Sequence, residues 1–407
     1  MIEHHDELAP DGRPLRATTA IAGRGAVSRP TEPHRRWHII VPVYNEERNL
    51  PRTIEEATRS NYQGQITFVD DASTDRSGRI LDEAAERFGI RVLHMPSNRK
   101  KEGAIRAALE ALKKSGSLPA FTIVLDADSF FFGAEPSIAA EVERSISHME
   151  DRDLSGMAFR IDAAVPAGSS LLQRCIYTDY LGSQIDNRIT SMQQQLWVIN
   201  GPGGIFRSDE LLQCLREMVP DFETGDLLIT LLLMKAGRRI EYWPSLTVKT
   251  IVPRTYGEYF RQRRRWERGT LKVLIQQSRF YLGLLVCPRL LGLSLVLHLA
   301  FPLGLIAMVG STAFVEAPVA FVTATAGFSS LAWCSISMLK CVASRVLHVD
   351  CRVAPALLFT IPNSILFLVA TGPARVAGAV DAIRYLASER QRLCDRERSR
   401  GASPRAS

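Results

Sequence analysis

The sequence predicts an α/β fold: a mostly parallel sheet with helices on both faces, followed by an amphipathic segment and about three membrane-spanning helices. Three observations lead to it. From residue 37 onward, short apolar runs alternate with helix-forming stretches, the rhythm of βαβ units. Asp, Glu and Asn residues gather just after these runs, where a parallel sheet binds its ligands. The last third holds three apolar runs that reach or approach the roughly 20 residues needed to span a bilayer.

Taken in order, residues 1–36 are rich in charge, Gly, Pro and Ala and lack the apolar core of a secretory signal, so a flexible tail is expected. Residues 38–43 read as a strand, with the near-continuous apolar character of a buried parallel strand. A helix follows over 46–60, with Pro51 near its first turns, where a missing N–H is tolerated. Strands are then expected at 66–70, 90–95 and 121–125, with helices at 75–88 and 102–115 between them. The stretch 256–285 is basic and amphipathic, which suits a helix lying along a membrane surface.

The candidate spans are 290–311, 313–338 and 354–371. Lys272, Arg279 and Arg289 precede the first, Lys340, Arg345 and Arg352 separate the second from the third, and only Glu316 lies between the first two. The positive-inside rule then places the 37–250 region on the cytoplasmic side of a multi-pass membrane protein. Three spans would carry the basic stretch 373–407 outside, which the same rule disfavours.

With 407 residues the chain has room for roughly two or three domains. Hydrophobic residues at 46% and charged residues at 23% exclude a disordered or fibrous protein. The net charge of +7 is compatible with nucleic acid, an anionic membrane or a phosphorylated substrate. Little aromatic interleaving accompanies the basic run at 260–269, so no nucleic-acid partner is expected. The seven cysteines form no CxxC pair, which points to reduced, buried thiols.

The chemistry concentrates at the expected strand ends. Tyr44-Asn45-Glu46 ends the first strand, Asp70-Asp71 the second and Asp126-Ala127-Asp128 the fourth, which makes an acidic pocket at one sheet edge. An Asp-x-Asp after an apolar strand suits Mg2+ or Mn2+, hard ions held by one or two carboxylates plus substrate phosphates. Asp226 opens an apolar helical stretch and reads both as a helix cap and as a general base. Arginine forks in the 260–269 run suit a pyrophosphate or lipid headgroups, and Trp266 offers a flat face to a sugar ring. The Gly201–Gly204 run is no dinucleotide fingerprint, since Phe206 stands where a third glycine is required.

Residues 41–46, Asp71, Asp126-Ala127-Asp128, Asp226 and Gln262-Arg263-Arg264-Arg265-Trp266 together resemble the inverting family 2 glycosyltransferases. The resemblance is strongest to the membrane-embedded branch that includes cellulose, chitin and hyaluronan synthases, and it covers about residues 37–270. The 35 residues between Asp226 and Gln262 match that branch's typical spacing. It implies a GT-A-type nucleotide-sugar-binding domain at 37–250, an interface segment at 251–288, transmembrane helices at 289–372 and a basic tail at 373–407. By the same resemblance Tyr44 and Glu46 hold the uracil and ribose, Asp71 bonds the uracil edge, and Lys101 reaches the nucleotide. Asp128 ligates the metal and Asp126 faces the donor. Gly201, Gly203 and Arg207 belong to an acceptor-side loop, and Asp226 is the base. Gln262, Arg264 and Arg265 hold the diphosphate, and Trp266 stacks on the acceptor sugar.

The implied activity is metal-dependent transfer of a hexose or N-acetylhexosamine from a UDP-sugar to a growing β-linked polysaccharide or oligosaccharide. Addition of one sugar to a lipid or short acceptor is the alternative. Membrane lipid is an implied partner. Three spans are few for a private channel, so export would fall to a homo-oligomer or a partner protein. Two positions depart from the family pattern: Gly225 stands where Glu is usual, and Arg106 where Asn is common.

Overall fold

A computed structural model describes residues 36–59, 65–133, 137–165, 168–192, 195–218, 224–286 and 371–401. The chain forms two compact units, one of residues 1–166, 186–221 and 225–252, the other of 167–185, 222–224 and 253–407.

The first unit is built on a sheet of eight strands among the described residues. Its leading half follows the expected alternation: β1 (Trp37–Val43), α1 (Leu50–Arg59), β2 (Ile66–Asp70), α2 (Ser77–Phe88), β3 (Arg91–His94), α3 (Lys100–Lys114) and β4 (Phe121–Val124). These strands pair in parallel, β1 with β2 and β4, and β2 with β3. Every residue of β1 and β2 is buried, as a two-sided strand requires. Pro42 lies beyond the last residue of β1 that β4 covers, Ile40, so its missing N–H removes no bond to β4.

The expectation of a mostly parallel sheet is corrected by the second half. There β5 (Ser129–Phe132), α4 (Ser137–Asp151), β6 (Leu154–Ala163), β7 (Gly204–Arg207), α6 (Ser208–Glu217), α7 (Gly225–Lys235) and β8 (Arg239–Thr250) follow. β7 runs antiparallel to β4 and β6, and β5 antiparallel to β8, so the sheet is mixed, in the order β3-β2-β1-β4-β7-β6-β8-β5. Among the described residues only β6 and β8 pair in parallel in this half, and their register breaks between Phe159 and Arg160. Residues 244–246, with Pro244 at their head, bulge out there, as a proline that cannot donate to a ladder demands. The α7 sequence is apolar on nearly every side and correspondingly buried from Leu227 to Leu231.

The second unit contains most of α5 (Leu171–Ser191), together with α8 (Tyr256–Gln276), α9 (Ser278–Val286) and α10 (Gly372–Gly401). A capping box starts α8: the Glu258 N–H donates to the Thr255 hydroxyl, and Glu258 Oε2 accepts from the Thr255 N–H, both at 3.3 Å. The amphipathic stretch 256–285 is thus two helices that break at Gln277. The stretch 373–407, expected as a basic tail, is helical to Gly401 and packs on α8. The two helices approach closely because Gly378 has no side chain; a Cβ there would sit 2.6 Å from the Arg264 carbonyl oxygen.

The expected spans 290–311, 313–338 and 354–371 lie outside the described residues apart from Thr371, as does the tail at 1–35. Among the described residues no helix is long and apolar enough to cross a membrane.

Candidate active site

The loops that leave β1, β2 and β3 share a feature that shapes the site. Each carries a non-glycine residue in the left-handed region: Asn45 (φ 55°), Ala72 (φ 57°) and Lys100 (φ 65°). Such backbone is costly for Ala and Lys and is held only where surrounding contacts compel it. Two such contacts hold Asn45. Asn45 Oδ1 accepts from the Thr74 N–H at 2.8 Å, and the Asn45 N–H donates to Ser73 Oγ at 3.1 Å, tying the first loop to the second. Tyr44 stands exposed at the end of β1, and Glu46 accepts from the Asn49 side chain at 2.9 Å.

Asp71 is buried. Its Oδ1 accepts from the Arg99 N–H at 2.7 Å, which couples the β2 end to the start of α3, and burial lifts its pKa. Neighbouring Asp70 behaves oppositely. Burial alone would raise it, but the His94 imidazole at 3.0 Å and Ser73 outweigh that and leave it below the usual carboxylate range.

The centre of the site is an ammonium among carboxylates. Lys101 donates to Asp126 in a short ion pair. Burial opposes its charge, yet the Asp126 and Asp226 carboxylates beside it leave its pKa raised. Asp226 is gripped by backbone: Leu227 N–H donates to Oδ1 at 2.8 Å and Gly201 N–H to Oδ2 at 3.1 Å. Burial raises its pKa against the pull of Lys101 and these two amides. Thr230 joins the two segments, donating to the Asp226 carbonyl at 2.7 Å and accepting from the Ile199 N–H at 2.8 Å.

A side chain at 201 would have to displace the Lys101 ammonium. A Cβ there would overlap the Lys101 ammonium and lie 3.3 Å from Asp226 Oδ2 and 3.7 Å from Asp126 Oδ2. Gly203 serves the core instead, since a Cβ would sit 2.6 Å from Ile161 Cδ1 and 3.1 Å from Val248 Cγ2. Arg207 is not brought to this cluster. It pairs with Phe121 at the opposite end of β4, donates to the Leu154 carbonyl at 2.9 Å and stacks on the Phe121 ring.

Asp128 accepts from Ser129 Oγ at 2.9 Å and Thr250 Oγ1 at 3.4 Å. Burial first, then the Asp126 and Glu46 carboxylates, push its pKa up to about 7. Mutual repulsion of this kind is relieved by a cation, so Asp126 and Asp128 fit a hard divalent ion. Among the described residues no group of three or more His, Cys, Asp or Glu side chains is placed to hold a metal. Such an ion would complete its shell with ligand oxygens and water, as Mg2+ commonly does.

Gln262, Arg264, Arg265 and Trp266 all lie on α8 of the second unit. Arg264 forms a bidentate pair with Asp381 of α10, at 2.6 and 2.9 Å. Arg265 is exposed, and Gln262 Oε1 is buried with no hydrogen-bond partner among the described residues. Arg263, assigned no role by the sequence, is held by Asp179 at 2.5 Å, and its guanidinium lies 4.6 Å from the Trp266 ring centre and 4.9 Å from that of Tyr259. One further residue escaped the sequence reading. Glu102, from the first turn of α3, is pushed up to about 7 by burial despite Lys101, with Asp226 and Asp126 adding to the shift. Its signal in the sequence was indirect: a glycine at 225, where a carboxylate was expected.

Residues 38–135 match the family described as "Glycosyl transferase family 2", and residues 142–347 that described as "Glycosyl transferase family group 2". An N-acetylglucosaminyltransferase of Rhizobium leguminosarum bv. viciae is 28% identical over 269 residues, 62% of this chain and 60% of that protein. Those of Azorhizobium caulinodans and Mesorhizobium japonicum are 24% identical over 343 residues (79% and 82% covered) and 29% identical over 297 residues (66% and 66%). The chain therefore spans less than two thirds of the length of the Rhizobium protein. The mannosyltransferase PcManGT from Pyrobaculum calidifontis, solved with GDP-Man and Mn2+, is similar in fold, with a TM-score of 0.51, 15% identity, and 86% of this chain and 87% of that one covered. Since the second family match takes in a little over half of the residues, the chain belongs to glycosyl transferase family group 2.

Proposed function

We propose that this protein transfers a sugar from a UDP-sugar to an acceptor hydroxyl with inversion, N-acetylglucosamine being the first sugar to try. The observation that carries the reading is the meeting of Lys101, Asp126, Gly201 and Asp226 at one edge of the sheet. The names of its relatives support the choice of sugar.

In this mechanism Asp226 takes the proton of the acceptor hydroxyl. The hydroxyl oxygen bonds to the anomeric carbon from the face opposite the nucleotide, the bond to the diphosphate oxygen breaks, and UDP departs. The two amides on Asp226 keep its carboxylate aimed while the proton moves. Lys101 holds Asp126 and supplies positive charge beside the donor. A divalent ion, Mg2+ or Mn2+, held by Asp128 and Asp126, would neutralise charge on the leaving diphosphate. Tyr44, Glu46 and Asp71 are proposed for the nucleoside, Gln262, Arg264 and Arg265 for the diphosphate, and Trp266 for the acceptor. The acceptor is a growing glycan or a lipid-linked saccharide.

The protein is further proposed to be a multi-pass membrane protein with its catalytic unit cytoplasmic, on the strength of the apolar runs and their flanking Lys and Arg residues. Resistance to extraction by alkaline carbonate is the expected result, and release into the supernatant would reject it.

The test of activity uses the full chain in detergent. UDP should be released from UDP-GlcNAc with Mg2+ or Mn2+ and an acceptor, and chelation should stop it. Asp226→Asn should lower the rate by about 10^3-fold. Full retained activity in that variant rejects the base assignment. Product length on a gel separates polymer formation from a single addition.

A further inference from the structure

Glu102 and Gly225 compete for one place. A Cβ added to Gly225 would overlap the Cγ, Cδ and Oε1 atoms of Glu102. The Glu102 carboxyl thus lies where a side chain at 225 would begin, one residue before Asp226. The chain supplies this carboxyl from the first turn of α3, 123 positions earlier, and leaves residue 225 bare to receive it. Glu102 forms no ion pair among the described residues; the nearby ammonium, Lys101, is engaged with Asp126. A carboxyl group buried beside Asp226 and Asp126 costs stability, and such groups gather at functional sites.

We propose that Glu102 is the positioning residue for Asp226, a carboxylate delivered from α3 into the position that a side chain at 225 would otherwise occupy. This rests on the transferase reading above. Two physical effects follow. Glu102 buttresses the first turn of α7, from which Asp226 projects. Its charge also draws on Lys101, so that the ammonium does not lock Asp226 in a closed ion pair and the acceptor hydroxyl can take that place.

A swap of the two residues tests this in the full chain, by melting and by UDP release. Gly225→Glu alone should lower the melting midpoint, because the new side chain meets Glu102, and combining it with Glu102→Ala should restore the midpoint. Glu102→Gln keeps the shape and removes the buried charge, so the midpoint should hold or rise. It should lower kcat by about 10-fold or more, with KM for the UDP-sugar changed by less than about 2-fold. The double variant, with its carboxylate on the other helix, should recover kcat to within about 3-fold of the unaltered protein. Unchanged kcat in Glu102→Gln would overturn the proposal, as would a double variant that melts normally but is no more active than Glu102→Ala. An unaltered protein silent toward every UDP-sugar would instead defeat the transferase reading, whereas failure of the melting midpoint to recover would count against the shared position alone.

Discussion

At the scale of single residues, the site is governed by Lys101. One ammonium faces Asp126 directly and Asp226 and Glu102 nearby, so the pocket carries excess negative charge that a cation or a proton must balance. Lys101 is the largest influence pulling the Asp226 pKa down. Its removal should let that pKa rise further. The acid limb of kcat/KM against pH should then move to higher pH in Lys101→Met, and an unmoved limb would show that another group sets it. Gly201→Ala places a methyl on the Lys101 ammonium and should cost activity with little change in melting, since the ammonium is the far end of a flexible side chain. Gly203→Ala should do the reverse, costing about 1–3 kcal/mol of stability by overpacking Ile161 and Val248. Sequence alone put both glycines in one acceptor loop. Their different duties depend on what lies opposite each one across the sheet.

At the scale of elements, the three βα loops act together because their ends are bound to one another. His94 at the end of β3 bridges Asp70 of β2 and Asp82 of α2, each at 3.0 Å. The Asp70 hydrogen bond raises its pKa against the effect of burial, with Asp82 adding to the rise. Its contribution to stability is therefore complete below the ordinary value of 6.5 and is lost as pH rises through the raised folded value. Asp70, held low, contributes above its ordinary 3.8 and loses that contribution as pH falls through its folded value. The melting difference between the unaltered protein and His94→Asn should be largest between these two ordinary values and shrink in alkali. A difference independent of pH would refute the bridge. Most of this half was legible: the expected strand 66–70 is β2 to the residue, and β1, β3 and β4 agree within a residue or two. The reason is that buried parallel strands are continuous apolar runs between polar helices. The second half was not. β6 and β8 are interrupted by a bulge and include charged residues such as Arg160, Asp162 and Lys249, so neither a clean run nor a clean alternation marks them.

At the scale of the whole molecule, the two compact units divide the motifs between them, with the carboxylates in the first and the Gln-Arg-Trp run in the second. Within the second unit that run is also structural. Glu267, buried directly after Trp266, pairs with Arg375 at 3.0 Å. Glu267→Ala removes this buried pair and should destabilise the protein, read as a fall in the melting midpoint. No effect would mean that α8 and α10 hold together without the pair. The amino-acid order by itself determined the βαβ half of the fold, the carboxylates at its strand ends and the family, because these are local patterns of apolar and polar residues. Only the tertiary structure decided that the sheet is mixed, that Arg207 lies away from the cluster, that Arg264 is bound to Asp381 and that Glu102 fills the space beside Gly225. Each of these is a meeting of residues far apart in the chain, and such meetings are set by packing and strand pairing, which leave no trace in any single stretch.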